Sequence, residues 1–462
     1  MKKGFSRRGF LKGAGSAGLF ASAGCAGFPA ITSSRSPNGK LRQACIGCGS
    51  QGRSNLSLLA QHRRIEMAAF CDVDTLMLDK LRARFPKARF YQDWREMLDK
   101  EDLDAAMVAT PDHSHCEIMS EVMRRGLNLY AEKPLCRSFA EARQLESLAA
   151  SSGAVTQLGM QIAAWECDRH TEELLRAGAI GKIKKIWLFS NSGYYAKLLE
   201  RTWPLTPAPV PANLDWKGWL ASAPYRDYVP KKYHSFVWRA WRDFGSGWLG
   251  DMGSHLFSPV WLGMNLSRTK PLSAKASVYD CGWNEEMKRQ FLPLYSHVVW
   301  QFPGVKATDM QPFEVEWCDG PSGGKVPEEF LPKGKTAEIA GNKAATAGLS
   351  DEFLPPKRFA EMAAKTPLGA LPVQGRVIEG SEGWMISTHF NKPPVLLTKD
   401  GKPRPLDLPF LSPVPDHYRE FVDCCLDGGA TRASFDWTVP LTEWLLLGRQ
   451  AIDNPGQVVK MA

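Results

Sequence analysis

The feature that most restricts this chain is six residues long. Gly47-Cys48-Gly49-Ser50-Gln51-Gly52 follows the apolar run Leu41–Gly47 and leads into an amphipathic stretch, Gln51–Gln61. A glycine turn between a strand and a helix lets backbone N–H groups approach a pyrophosphate at the helix N-terminus. Alone it is a weak signal, because glycines also make purely structural turns. Here Asp72 closes the next apolar run, 20 residues after Gly52, where a carboxylate accepts hydrogen bonds from an adenosine ribose. The same charge repels a 2′-phosphate, so NAD is favoured over NADP, a preference that Arg53 and Arg82 would soften.

Beyond the turn, short apolar runs alternate with amphipathic ones, the pattern of a parallel sheet covered by helices. Strands are expected at Leu41–Gly47, Glu66–Cys71, Phe90–Tyr91, Ala105–Ala109, Leu127–Ala131 and Val155–Gly159. The helices between them are expected at Gln51–Gln61, Thr75–Phe85, Asp93–Asp99, Ser114–Arg125 and Ser138–Ser151. This α/β, doubly wound, Rossmann-type unit ends near residue 160. The remainder, 161–462, reads as an α+β domain with an open, largely antiparallel sheet for substrate binding and oligomerisation. It has longer strands at Ile183–Ser190, Ala274–Tyr279 and His297–Phe302 and closing helices at Asp416–Asp427 and Trp437–Asp453. Thr202–Trp248 is rich in Trp and Pro, and the Gly/Pro/Lys-rich Gly320–Lys357 reads as a long surface excursion.

Composition excludes more than it selects. The net charge of +9 suggests nucleic acid, but five of those charges lie in residues 1–34, which hold no acid, leaving +4 for the rest. No acidic partner is needed. Those first residues combine a basic start, an apolar run from Gly13 to Ala23 and a polar stretch from Thr32 to Lys40, the layout of a signal peptide. Ser6-Arg7-Arg8-Gly9-Phe10-Leu11-Lys12 resembles the twin-arginine (Tat) export signal at each position. That route carries folded proteins, so export by the Tat machinery to the periplasm, with cofactor already captured, is the expectation. An ordinary Sec signal is the alternative. Cys25 follows Ala23-Gly24 as a lipid-anchor cysteine would, but Ser22 stands where such sites usually have Leu. No other segment has about 18 uninterrupted apolar residues, so no further membrane span is expected. The 11 cysteines show neither a disulfide framework nor zinc-site spacing. Cys45, Cys48 and Cys71 fall on or beside expected strands, where cysteine behaves as a small hydrophobe.

Two further segments carry chemistry. Ala131-Glu132-Lys133-Pro134 follows the fifth strand, at the sheet edge where open α/β proteins bind ligands. An amine there exchanges a proton with a substrate hydroxyl, although most Glu-Lys pairs are solvated ion pairs. In Gly247-Trp248-Leu249-Gly250-Asp251-Met252-Gly253-Ser254-His255, a helix would put Asp251 and His255 on one face as a carboxylate–imidazole pair. The bland alternative is a helix cap with a packed histidine, and no third ligand for a metal is evident. Trp238, Arg239, Trp241 and Arg242 precede this motif. They suit stacking on sugar rings and gripping hydroxyls, or equally a packed cluster.

Taken together, these residues resemble the glucose–fructose oxidoreductase/inositol dehydrogenase (Gfo/Idh/MocA) family. The likeness rests on the glycine turn, Phe70-Cys71-Asp72-Val73-Asp74, Ala109-Thr110-Pro111-Asp112-His113-Ser114-His115, Glu132-Lys133-Pro134, Gly159-Met160-Gln161 and Gly250-Asp251-Met252-Gly253-Ser254-His255, and spans Lys40 to Val459. Pro440-Leu441-Thr442-Glu443-Trp444-Leu445-Leu446-Leu447-Gly448 resembles the exported bacterial branch. The resemblance implies a nicotinamide cofactor bound by Gly47, Gly49, Gly52 and Asp72, with Thr110, Pro111, His113, His115, Glu132, Lys133 and Gln161 near the nicotinamide. It implies catalysis by Lys133 as general base, His255 contacting or deprotonating the same hydroxyl, and Asp251 orienting the pair. Leu256-Phe257-Ser258-Pro259 follows His255 where family members often carry an acid, a departure that bears on substrate contacts. A dimer or tetramer is implied as well.

Three functions fit these residues. One is net hydride transfer between a sugar, glycoside or polyol carbon and a nicotinamide. A second keeps the dinucleotide bound and uses transient oxidation to eliminate across a glycosidic bond. The third is a sugar-binding protein without turnover. For an exported chain, tightly held dinucleotide is expected in each enzymatic case.

Overall fold

The computed structural model describes residues 39–190, 205–234, 236–280, 284–320, 351–389, 392–406 and 410–461. The signal-like segment with Cys25, and most of the Gly320–Lys357 excursion, lie outside them. β1 (Leu41–Ile46), β2 (Ile65–Cys71), β3 (Arg89–Tyr91), β4 (Ala105–Val108), β5 (Asn128–Ala131) and β6 (Thr156–Leu158) form one sheet. Their order is β3-β2-β1-β4-β5-β6, and every pairing is parallel. The central strands are buried along nearly their whole length because helices cover both faces, which explains their unbroken apolar runs.

The strand order reverses between β1 and β4. The connections after these two strands therefore diverge, one to each face, and open a crevice at the carboxyl edge. The glycine turn and Ala109–Pro111 sit at that crevice. Local signals set the helix starts here. Asp74 caps Thr75–Arg84 through the Leu76 N–H, and Ser138 with Glu141 forms a capping box at Phe139–Ser152.

The second sheet has nine strands: β7 (Ile183–Ser190), β8 (Ser273–Tyr279), β9 (Tyr295–Phe302), β10 (Phe313–Asp319), β11 (Gln374–Gly380), β12 (Trp384–Thr388), β13 (Val395–Leu397), β14 (Pro403–Arg404) and β15 (Val458–Val459). Their order is β14-β13-β12-β11-β7-β10-β9-β8-β15. All pairings are antiparallel except that of β7 with β10. Three of these strands were expected. Sequence reading missed β10, although Phe313, Val315 and Trp317 alternate with Glu314 and Glu316 at the strand period, with the apolar set buried.

Lys357–Ala364 lays Phe359 and Ala363 against Trp187, Phe189, Val377, Ile386 and Leu397 in a small core of its own. One expectation about the second half needs correction. The helix His417–Asp427, assigned with 161–462, instead packs Tyr418, Phe421, Val422 and Cys425 into the core beneath β1 and β2. It returns because an edge strand invites it. Leu158 N–H donates to Ala433 O, and Gln157 Nε2 to His417 O, satisfying groups at β6 that would otherwise be buried unpaired. Among the described helices none is long and apolar enough to cross a membrane.

Candidate active site

A cavity of about 600 Å³ opens on the crevice at the carboxyl edge of the first sheet. One end is the glycine turn. Gly47 has φ of +84°, and a Cβ there would stand 2.5 Å from Ala109 O; a Cβ on Gly52 would stand 2.1 Å from Gly47 O. The turn thus packs on the β4 loop with no room for a side chain at positions 47 and 52, leaving a cradle of backbone at the start of Ser50–Leu59. Asp72 braces it by accepting from Cys48 N–H at 2.7 Å and Asp74 N–H at 3.0 Å. Burial pushes the Asp72 carboxyl up to about 6, against the pull of these N–H groups. Cys45, Cys48 and Cys71 are buried thiols, and burial raises each of them.

This carboxyl sets a pH prediction. Above about 6 Asp72 is an acceptor for ribose hydroxyls; below, it carries a proton and loses that capacity. Dinucleotide affinity in fluorescence titrations should fall as pH drops through about 6, and Asp72→Asn should bind weakly at all pH values. A wild-type affinity unchanged from well above to well below that pH would contradict the assignment.

The middle of the cavity is built around Glu132, which is buried and raised by that burial, with Lys133 opposing the rise. Its Oε1 accepts from Asn55 Nδ2 at 2.7 Å and Gln161 Nε2 at 2.8 Å. Asn55 Oδ1 in turn accepts from Tyr418 OH and Gln51 Nε2. At Gly159 a Cβ would lie 2.5 Å from Glu132 Oε1, so a side chain there would displace this carboxylate from its partners. Asn55 and Tyr418 were not foreseen. Neither lies in a recognisable motif, and Tyr418 comes from a helix over 350 residues away in the chain.

At the far end Lys133 Nζ donates to Asp251 Oδ1 at 2.7 Å and to Asp251 O at 2.9 Å, joining the β5 loop to the helix Gly247–Gly263. Burial would raise the Asp251 carboxyl, but Lys133 and Arg239 outweigh it and hold the group below its usual range. Asp251 therefore pairs with Lys133, not with the His255 imidazole expected to be its partner. His255 lies one turn further on, buried on the same cavity wall. Burial first, then the charge of Lys133, keeps its imidazole far below the ordinary histidine value, so it is neutral at neutral pH. Its Nδ1 has no hydrogen-bond partner among the described residues.

The second half supplies the facing wall. Gln374 begins β11, and His389 follows β12 with its ring centroid 5.5 Å from that of His255. Arg376, fully buried beside Asp168 at 2.9 Å, donates to the carbonyls of His255 and Leu256 and ties the helix to β11. No short motif marks these residues.

Gly47, Gly49, Asp72, Thr110, Pro111, Glu132, Lys133, Gln161, Trp238, Arg239, Asp251 and His255 all face the cavity; other expected residues do not. Gly52 packs behind the turn. His113 is buried against Trp219 and Phe244, with Nε2 at 2.9 Å from Trp219 O. His115 lies between Pro134 O and Thr110 O, so it shapes two cavity loops from behind. Trp241 is wholly buried on Tyr233 and Phe291, and Arg242 turns to Lys288 O and Asp453. Arg239 remains, stacked over Phe236 and Trp238 at 4.2 Å from each ring.

Two family models match the chain. Residues 41–160 match the Gfo/Idh/MocA oxidoreductase family NAD-binding Rossmann fold, and residues 168–281 match the family's C-terminal alpha/beta domain. The chain belongs to the Gfo/Idh/MocA oxidoreductase family. Curated relatives include D-apiose dehydrogenase of Paraburkholderia graminis, 28% identical over 31% of this chain and 38% of that protein. Alpha-N-acetylgalactosaminidase of Shewanella oneidensis is 27% identical over 23% of this chain and 25% of that protein. The matched stretches thus span well under half of either relative. Among solved structures, the WlbA dehydrogenase from Bordetella pertussis, in complex with NADH and UDP-GlcNAcA, superposes with a TM-score of 0.57. It is 13% identical, with 92% of this chain and 99% of that one covered, a likeness in fold.

Proposed function

We propose that this protein is an NAD-dependent oxidoreductase that moves hydride between a hydroxyl-bearing carbon of a sugar, glycoside or polyol and a tightly held nicotinamide. The observation that carries the reading is the meeting of Lys133, Asp251 and His255 on one cavity wall continuous with the glycine cradle. The cradle fits a dinucleotide: Gly47, Gly49 and the start of Ser50–Leu59 offer backbone N–H groups to a pyrophosphate, and Asp72 offers an acceptor to the ribose. Asp72 favours NAD over NADP. A bound nicotinamide supplies the hydride acceptor or donor.

The chain's own groups manage the proton. Lys133 already donates two hydrogen bonds to Asp251, so toward substrate it presents a further N–H that polarises or protonates an oxygen. His255, kept neutral, is an acceptor beside it and takes the hydroxyl proton when the alcohol is oxidised. Asp251 holds the amine in place. In this division His255 takes the proton and Lys133, named as general base from the sequence, polarises the oxygen.

A second reading has support from the relatives. An alpha-N-acetylgalactosaminidase lies among them, and the same residues would serve transient oxidation followed by elimination of a glycosidic bond. We further propose Tat export with bound cofactor, on the strength of Ser6–Lys12. Recovery of the protein in the periplasmic fraction with stoichiometric dinucleotide would support both export and retention, and cofactor-free protein would remove the latter. The reaction is tested by incubating this protein with sugars and aryl glycosides while following reduced nicotinamide and aglycone together. Accumulating reduced nicotinamide is expected. Aglycone release without it would replace the first reading by the second.

A further inference from the structure

Beside the main cavity lies a second, of about 510 Å³, lined by Ala164, Trp165, Glu166, Cys167, His170, Lys392 and Pro393. One residue, Trp165, stands on the walls of both. It follows the short 3₁₀ turn Gln161–Ala164, so the segment that sends Gln161 into the site carries the indole to the rim. Trp165 is 40% exposed, whereas Trp216, Trp219, Trp238, Trp241 and Trp248 are all buried. An exposed indole shared by two cavities offers a flat apolar face on which a ring can stack.

The main cavity must seat the dinucleotide and the reacting unit of the substrate together. A ligand longer than one sugar unit has to leave it, and the second space begins at the indole. Its remaining wall offers a carboxylate, an imidazole and an ammonium group, a donor and acceptor set suited to hydroxyls.

We propose that the substrate is a glycoside of at least two sugar units. One lies over Lys133 and His255, and the next stacks on Trp165 with its hydroxyls toward Glu166, His170 and Lys392. This rests on the oxidoreductase reading and narrows its substrate class from any polyol to an extended saccharide. Trp165 is a specificity residue, outside the proton-transferring set.

The test is binding, so it does not depend on turnover. Wild-type protein loaded with NADH, which leaves no hydride acceptor, is titrated calorimetrically with glucose, galactose, N-acetylgalactosamine and α- and β-linked disaccharides of each. At least one disaccharide should bind about tenfold or more tightly than its constituent monosaccharide, a margin of about 1.4 kcal/mol. Trp165→Ala should erase that margin with monosaccharide affinity unchanged, and Trp165→Phe should keep most of it. Because the indole is at the rim, unchanged NADH binding verifies that the variants fold. Equal affinity for mono- and disaccharides, or a margin that survives Trp165→Ala, overturns the inference alone. Binding of no saccharide overturns the oxidoreductase reading with it.

Discussion

Lys133→Met is expected to lower turnover on the true substrate by roughly a hundred- to ten-thousand-fold, the usual contribution of a positioned proton-transfer group. Dinucleotide binding should survive, because Gly47, Gly49 and Asp72 make no contact with the ammonium group among the hydrogen bonds of the site. Stability will fall too. Both side chains of the Lys133–Asp251 pair are only 14% exposed, and removing the amine leaves the carboxylate with Arg239 at 3.7 Å as its remaining cation, so the cost should fall below the about 3–5 kcal/mol of a buried charge with no partner. Asp251→Asn in the Lys133→Met background separates the two effects: the melting temperature should recover and turnover should not. Full activity in Lys133→Met would remove this amine from the chemistry, whatever its value to the fold.

The second large effect is at the glycine turn. Gly52→Ala sets a methyl group 2.1 Å from the Gly47 carbonyl oxygen, and a backbone atom cannot swing aside as a side chain can. The turn has to open, which should lower stability by about 1–3 kcal/mol and dinucleotide affinity by about tenfold or more. Gly49→Ala is the informative control. Its Cβ meets only Met77, at 3.3 Å from a mobile sulfur, so stability should be near wild type while the methyl group obstructs the cradle. Unfolding measured by heat and affinity measured by titration check both variants. Wild-type dinucleotide affinity in each would mean that the turn is structural and the cradle is elsewhere.

Both predictions concern residues that were legible in the chain, and the reason is local. A glycine turn, the carboxylate closing β2 and the Glu132-Lys133 pair after β5 each follow a strand whose apolar run announces it. Parallel strand order then brings all three to one edge.

Side-chain direction was not legible. Spacing put Asp251 and His255 one turn apart on a helix face, which is correct, but it could not say that Lys133 from another element would claim the carboxylate. Thr110–His115 reads as one loop motif, yet only Thr110, Pro111, Asp112 and Ser114 line the cavity, because the helix Asp112–Arg124 turns His113 and His115 into the core. In the Trp238–Arg242 run, a tight 3₁₀ turn at Val237–Ala240 sends Arg239 inward and Trp241 to Tyr233.

What the sequence determined by itself was the nucleotide-binding sheet, its glycine cradle and the identity of the polar groups at its edge, each encoded by a short local stretch of chain. What only the tertiary structure decided was which of those groups meet. Asn55 and Tyr418 holding Glu132, Arg376 anchoring the helix of His255, and His389 facing that imidazole are contacts between segments far apart in the chain. Such pairings arise from the burial of shared surfaces, and local spacing marks which face of an element is buried without saying which distant segment will cover it.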